Sequence, residues 1–231
     1  MLLSRGRESM QRTKGNTAAY ISLMLRSRTV ILLLPVICGY ILLTIICFYY
    51  REMYMQYPDV LLDYVTKWCH QVIPMLACWW ALFLQNQFVS GEGNELLYLY
   101  LSHKEILKCQ LVAMAAYGVW ICMYIGGMQF YFDMNLFFLF RICLESVFIG
   151  GAAFLLVSIV RNTGIPILFI MVYCMYVDQL LCAAPLEQLS QSLKRQEMSP
   201  LNMKWAAETL ILAAVFHIGG FMIYKQVKKY E

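Results

Sequence analysis

Arg141 and Glu145 stand four residues apart in a stretch that is otherwise apolar from Leu136 to Val160. On a helix that spacing puts both on one face, where guanidinium and carboxylate can pair. Asp178, Glu208 and His217 are further ionisable residues set in apolar surroundings. Each such charge costs roughly 2.5–3.5 kcal/mol at the centre of a membrane-spanning helix, so it pairs, faces a wet cavity or marks a pathway. Two chemistries are open to the five. Linked through water they could pass protons, and converging in one pocket Glu145, Asp178 or His217 could act as acid and base. The structural alternative is that they tie packed helices together. The set is sparse, and its spacing traces no connected relay.

Other catalytic signatures are missing. There is no His-Glu-x-x-His, no Gly-x-Ser-x-Gly and no Gly-x-x-x-x-Gly-Lys-Ser/Thr phosphate loop. His70, His103 and His217 fall in unrelated settings. The nine cysteines are scattered singly, with no Cys-x-x-Cys and no zinc spacing, and read as small buried hydrophobes. No metal site and no cofactor bound by this chain is expected.

The elements that must position these residues follow from composition. The chain is 61% hydrophobic and 14% charged, which excludes an ordinary soluble domain and a disordered one. Six stretches are long and apolar enough to span a bilayer: Val30–Tyr50, Trp68–Phe88, Cys109–Gln129, Leu136–Val160, Ile165–Ala184 and Trp205–Tyr224. The expectation is an all-α, polytopic membrane protein forming one transmembrane domain over residues 1–231. No cleavable signal peptide is evident, so the first stretch is expected to be retained.

Lysine and arginine predict the orientation. With both termini cytoplasmic, Arg5, Arg7, Arg12, Lys14, Arg26, Arg28, Lys104, Lys108, Arg161, Lys225, Lys228 and Lys229 lie inside, against Arg51, Lys67, Lys194, Arg195 and Lys204 outside. The net charge of +4 therefore reads as topology, and no clustered basic face for nucleic acid is visible. Residues 1–28 form a basic cytoplasmic segment in which Ala18, Ile21, Met24 and Leu25 share a helical face, suiting either an interfacial helix or a frayed tail.

The connections have distinct characters. Residues 51–67 and 129–135 read as external links. Arg161–Pro166 reads as a tight inner turn broken by Gly164 and Pro166. Between Pro185 and Lys204, Leu186, Leu189 and Leu193 recur at helical spacing, predicting an outer amphipathic helix; a solvated loop is the alternative. Gly126-Gly127, Gly150-Gly151, Ala213-Ala214 and Gly219-Gly220 are small pairs that let helices approach closely in lipid.

Residues 90–108 are the most unusual segment. Glu95–Leu101 would make a helix only about 10 Å long, too short to span. Yet Leu96, Leu97, Tyr98, Leu99, Tyr100 and Leu101 are apolar nearly all round. Such a stub is costly to leave in water and suits docking into a partner. The alternative is a helix floating on the inner leaflet.

In this arrangement the chain resembles the permease subunits of ABC transporters of the type-2 exporter class. Glu92 matches the family's acidic position, Gly93-Asn94 its Gly-Thr-like pair, Glu95-Leu96-Leu97 the following stretch and Ser102–Ile106 the basic step into the third span. The family's usual proline is absent, with Tyr100 near its place, which leaves the exit of the coupling helix open. The resemblance covers nearly the whole chain and rests more on order than on an invariant string. It implies six spans, an N-terminal interfacial helix and a cytoplasmic coupling helix at 90–108. It also implies a second permease subunit, identical or sister, and cytoplasmic ATPase subunits that carry ATP and Mg. A bacterial cell membrane is the implied location. The cargo expected from aromatic and Met-rich spans is amphipathic or peptide-like. The competing readings are an intramembrane enzyme and a non-transporting scaffold or sensor.

Overall fold

The computed structural model describes the backbone of residues 17–89, 103–132, 134–181 and 199–227, and the side chains of 34–82, 107–108, 110–132, 134–176 and 199–223. Among these residues the chain is all-helical. In order the helices are α1 (Thr17–Tyr54), α2 (Pro58–Val89), α3 (His103–Met128), α4 (Leu136–Val160), α5 (Gly164–Leu181) and α6 (Pro200–Val227).

Four of them are long and apolar enough to cross a membrane: α1 over Leu34–Tyr54, α3 over Gln110–Met128, all of α4, and α6 over Pro200–Ile223. Their outer faces carry Ile45, Met123 and Ile211, each about three-fifths exposed, as suits side chains bathed in lipid. This is the make-up of a membrane protein. Of the other two expected spans, α2 bears Asp59, Asp63 and Lys67 in its first three turns, and α5 contributes an apolar stretch at Gly164–Tyr176.

Helix α1 runs unbroken for 38 residues, about 57 Å, so Thr17–Arg28 continues into the first apolar stretch as one helix. No glycine or proline interrupts Leu25–Val30, and Arg26-Ser-Arg-Thr29 has nothing that stops a helix. Residues 1–16 lie outside the described residues, as do Leu186, Leu189 and Leu193 of the expected outer helix.

Side-chain register gives the helix directions. Tyr50 stacks on Tyr64 while Gly39 meets Leu76, so α1 and α2 are antiparallel. The Tyr117 hydroxyl donates to the Ile73 carbonyl at 2.6 Å and Trp80 Nε1 donates to the Ala113 carbonyl, so α2 and α3 are antiparallel too. In contrast, Arg141 lies by Trp205 and Phe154 by Gly220, which makes α4 and α6 parallel. An up-and-down bundle results. One end holds residues 55–57, the end of α3, the start of α4, the end of α5 and the start of α6; the opposite end holds the end of α2, the start of α3, residues 161–163 and the start of α1.

Helix α4 is central, packing on α2, α3, α5 and α6, with more than half of its residues buried. Its ends are set locally. Asn135 caps the start by accepting from the Phe138 N–H at 2.9 Å, satisfying one of the donors a helix leaves open. Arg161 closes it in the left-handed region at φ 54°, donating its N–H to Val157.

Close approach explains some of the small pairs and not others. A Cβ on Gly151 would lie 2.5 Å from His217 Nδ1 and 3.2 Å from the Ala213 carbonyl, and one on Gly150 would lie 2.6 Å from the Met114 side chain. Gly126 and Gly127 have nothing within 4 Å, so packing does not account for them.

The cysteines divide as well. Cys47, Cys69, Cys78 and Cys174 are buried, whereas Cys38 and Cys122 are exposed; all described cysteines are free thiols.

Candidate functional site

Five residues into α4, Arg141 is only 7% exposed although it carries a full charge. Its Nε donates to Glu145 Oε1 at 2.9 Å, the pair the i, i+4 spacing allows. The second carboxylate oxygen, Oε2, lies 2.6 Å from His70 Nδ1 on α2. Glu145 thus joins α4 to α2 through a buried His–Glu–Arg cluster. The sequence reading did not find this, since it placed His70 in an unrelated setting. No local signal links His70 to a partner 75 residues away.

The surrounding aromatics hold the cluster in place. The Arg141 guanidinium sits over the Trp205 ring at 5.7 Å, within the range of a cation–π contact, and the edge of His70 meets Phe138 at 5.2 Å. Pro74 follows His70 by one turn and has no N–H, so the His70 carbonyl loses its usual helical donor beside the cluster. Counting along α4, the charges lie about 8–14 Å from its first residue.

The cluster faces a cavity of about 240 Å³ between α2, α4, α5 and α6. Its other walls include Phe148, Tyr173, Cys174 and Trp205, with Glu208, Thr209 and Leu212 along α6. Among the described residues Tyr173 packs its ring on Phe148 and its hydroxyl makes no hydrogen bond. Among the described residues α5 and α6 both pack on α4 but make no sustained contact with each other, and Glu208 and Leu212 are exposed. Among these residues the cavity opens between α5 and α6.

The five polar candidates part company here. Arg141 and Glu145 form the wall of the cavity, and Glu208 stands at its mouth, with Lys204 Nζ 3.9 Å away. His217 lies elsewhere. It is buried against Gly151 and Phe154, its Nδ1 is 2.8 Å from the Ala213 carbonyl, and its Nε2 has no partner among the described residues. Asp178 belongs to α5 by its backbone, and its side chain lies outside the described residues.

The same is true of most of the expected docking segment. Glu92, Glu95, Leu96, Leu97, Leu99, Tyr100 and Leu101 lie outside the described residues. Lys104 and Glu105 are in the first turn of α3 by their backbone, with side chains outside the described set. Among the described residues no three of His, Cys, Asp and Glu gather closely enough to hold a metal ion.

At the end of the bundle nearest the cluster, Tyr50, Tyr54 and Tyr64 stack at 4.8–5.2 Å, and Arg51 lies over Tyr131 at 5.6 Å. Aromatic rings with a snorkelling cation mark a membrane–water boundary. The cluster thus lies just inside such a boundary, where a polar site can exchange with water and an apolar tail can remain in lipid.

No protein-family model, curated protein or solved structure significantly matches this chain.

Proposed function

We propose that this chain is the membrane-spanning subunit of an ATP-driven exporter, a permease of the type-2 ABC class. The observation that carries the reading is the polarity of the bundle. The end of α2 at Val89 and the start of α3 at His103 fall at the same end as the start of α1 and the basic positions Lys104, Lys108, Arg161 and Lys225. By the positive-inside rule that end is cytoplasmic, so the apolar 96–101 stretch meets a soluble partner there. All six helices cross the bilayer in this reading, both termini are cytoplasmic and residues 90–108 are the coupling element.

On this account the chain does no catalysis. Leu96, Leu97, Leu99, Tyr100 and Leu101 fill a groove on an ATPase subunit that binds ATP and Mg, with Glu92, Glu95, Lys104 and Glu105 around the rim. A second permease completes the complex, and nucleotide-driven closure tilts the helices to move an amphipathic cargo. The His70–Glu145–Arg141 cluster favours this over an intramembrane enzyme: both carboxylate oxygens are committed to fixed partners, which suits holding helices or a ligand better than abstracting a proton.

The test is capture of the tagged full chain, in mild detergent, from membranes of the cell that makes it. A soluble ATP-hydrolysing subunit should co-purify with the natural sequence and be lost from the Leu97→Asp/Tyr100→Asp variant. Absence of an ATPase from the natural complex, or its retention by the variant, overturns the proposal. So does an epitope inserted after Gly93 that antibody reaches from outside intact cells.

A further inference from the structure

Of the charged residues that line the α2–α4–α5–α6 cavity, a carboxylate, Glu208, is the most exposed. Arg141 is buried, its Nε is committed to Glu145 and its guanidinium face lies on Trp205. Glu208, by contrast, is 62% exposed at the mouth, with a loose 3.9 Å contact to an equally mobile-stemmed lysine that is itself exposed. Each Glu145 oxygen, though hydrogen-bonded once, retains a second lone pair, and the side chain is about one-fifth exposed. Phe148, Tyr173 and Trp205 line the same cavity with aromatic surface, and the Tyr173 hydroxyl adds an unused acceptor.

Two carboxylates in an aromatic-lined cavity are complementary to an organic cation, which gains from ring faces as well as from charge. The opening between α5 and α6 adds a second requirement. Among the described residues the way out of the cavity passes the exposed, apolar Leu212, which suits a ligand with an apolar tail. We infer that the cavity binds the ammonium head of an amphiphile, with its chain passing out between α5 and α6. This rests on the exporter reading only for the purpose of binding, where it names the cargo or a lipid that regulates its passage; the binding itself needs no ATPase.

The probe is a dodecylammonium carrying a photoreactive diazirine on its chain, added to the full-length protein in nanodiscs of phosphatidylglycerol, which has no amine. Labelling should saturate and map to peptides of α5 and α6. Unlabelled dodecylammonium should compete, and a neutral glucoside of the same chain length should not. Glu208→Gln, an exposed substitution that leaves the fold intact, should raise the half-saturating concentration roughly tenfold, the size of one charge-assisted contact. Lys204→Gln should lower it severalfold by removing a competing cation. Competition by the glucoside, unsaturable labelling, or identical curves for all three proteins would each overturn the inference. Discs containing phosphatidylethanolamine separate the two sources of such a head: a rightward shift identifies a bilayer lipid as the occupant, and an unchanged curve a free cationic amphiphile. Both results uphold an ammonium site. Failure to capture an ATPase leaves this assay unaffected, so the two proposals fail separately.

Discussion

Replacing Glu145 with leucine removes the carboxylate that lies 2.9 Å from Arg141 Nε and 2.6 Å from His70 Nδ1. Arg141 is buried, so water reaching it from the cavity replaces that partner only in part. Breaking a buried pair by deleting one member costs about 3–5 kcal/mol, whereas replacing both by apolar residues is close to neutral. For a chain of this size 1 kcal/mol moves the melting midpoint by about 2–4 °C, so Glu145→Leu should lower Tm by roughly 6–20 °C. Arg141→Met/Glu145→Leu should recover most of that loss, because neither charge is then left without its partner. Fluorescence-monitored melting of the purified protein in one detergent, at constant pH and salt, measures both. A Glu145→Leu midpoint within 2 °C of the parent, or a double variant as damaged as the single one, would refute the cluster as drawn.

Other perturbations follow from the same packing. Gly151→Ala should cost about 1–3 kcal/mol, since the new methyl group meets a buried imidazole and a backbone carbonyl, while Gly126→Ala, with open space around it, should melt like the parent. Comparing the two midpoints checks whether α4 and α6 pack as closely as the structure has them. Tyr117→Phe removes the donor to the Ile73 carbonyl and the partner of the Tyr40 hydroxyl, which lies 3.1 Å away. Interhelical hydrogen bonds in membranes average about 0.6 kcal/mol and reach about 1.7, so its midpoint should fall by a few degrees at most. Asn135→Ala removes the cap of α4 and should cost about 1 kcal/mol, again read from Tm.

How far the sequence foretold this arrangement depends on the range of the interaction. Helices appear where apolar runs predict them, because a 20-residue greasy stretch has few alternatives to an internally bonded helix. Arg141 and Glu145 pair as their spacing allows, since the interaction is local to one turn. His70 joins them because α2 packs against α4 in one register, and nothing within a few residues of His70 encodes that register. The same limit explains the small pairs: Gly150, Gly151 and Gly220 meet bulky neighbours on other helices, whereas Gly126-Gly127 has the same composition and meets none.

Stability alone does not account for a His–Glu–Arg cluster in this place. Well-packed apolar residues of similar volume would hold α2 to α4 at least as firmly, because a buried ion pair spends most of its attraction offsetting desolvation. The core around Leu43, Ile73, Ile121 and Ile142 shows that the bundle packs apolar side chains without exposure where it needs cohesion. The cluster instead lines the cavity, near the boundary that Tyr50, Tyr54 and Tyr64 define, with one carboxylate fixed within it and another at the mouth. A charge held in place by partners keeps its orientation when a ligand arrives, so little reorganisation is required on binding. The physical role that fits these costs is a preorganised polar seat within an otherwise apolar bundle, and it makes binding at this cavity more sensitive to Glu208 than overall stability is.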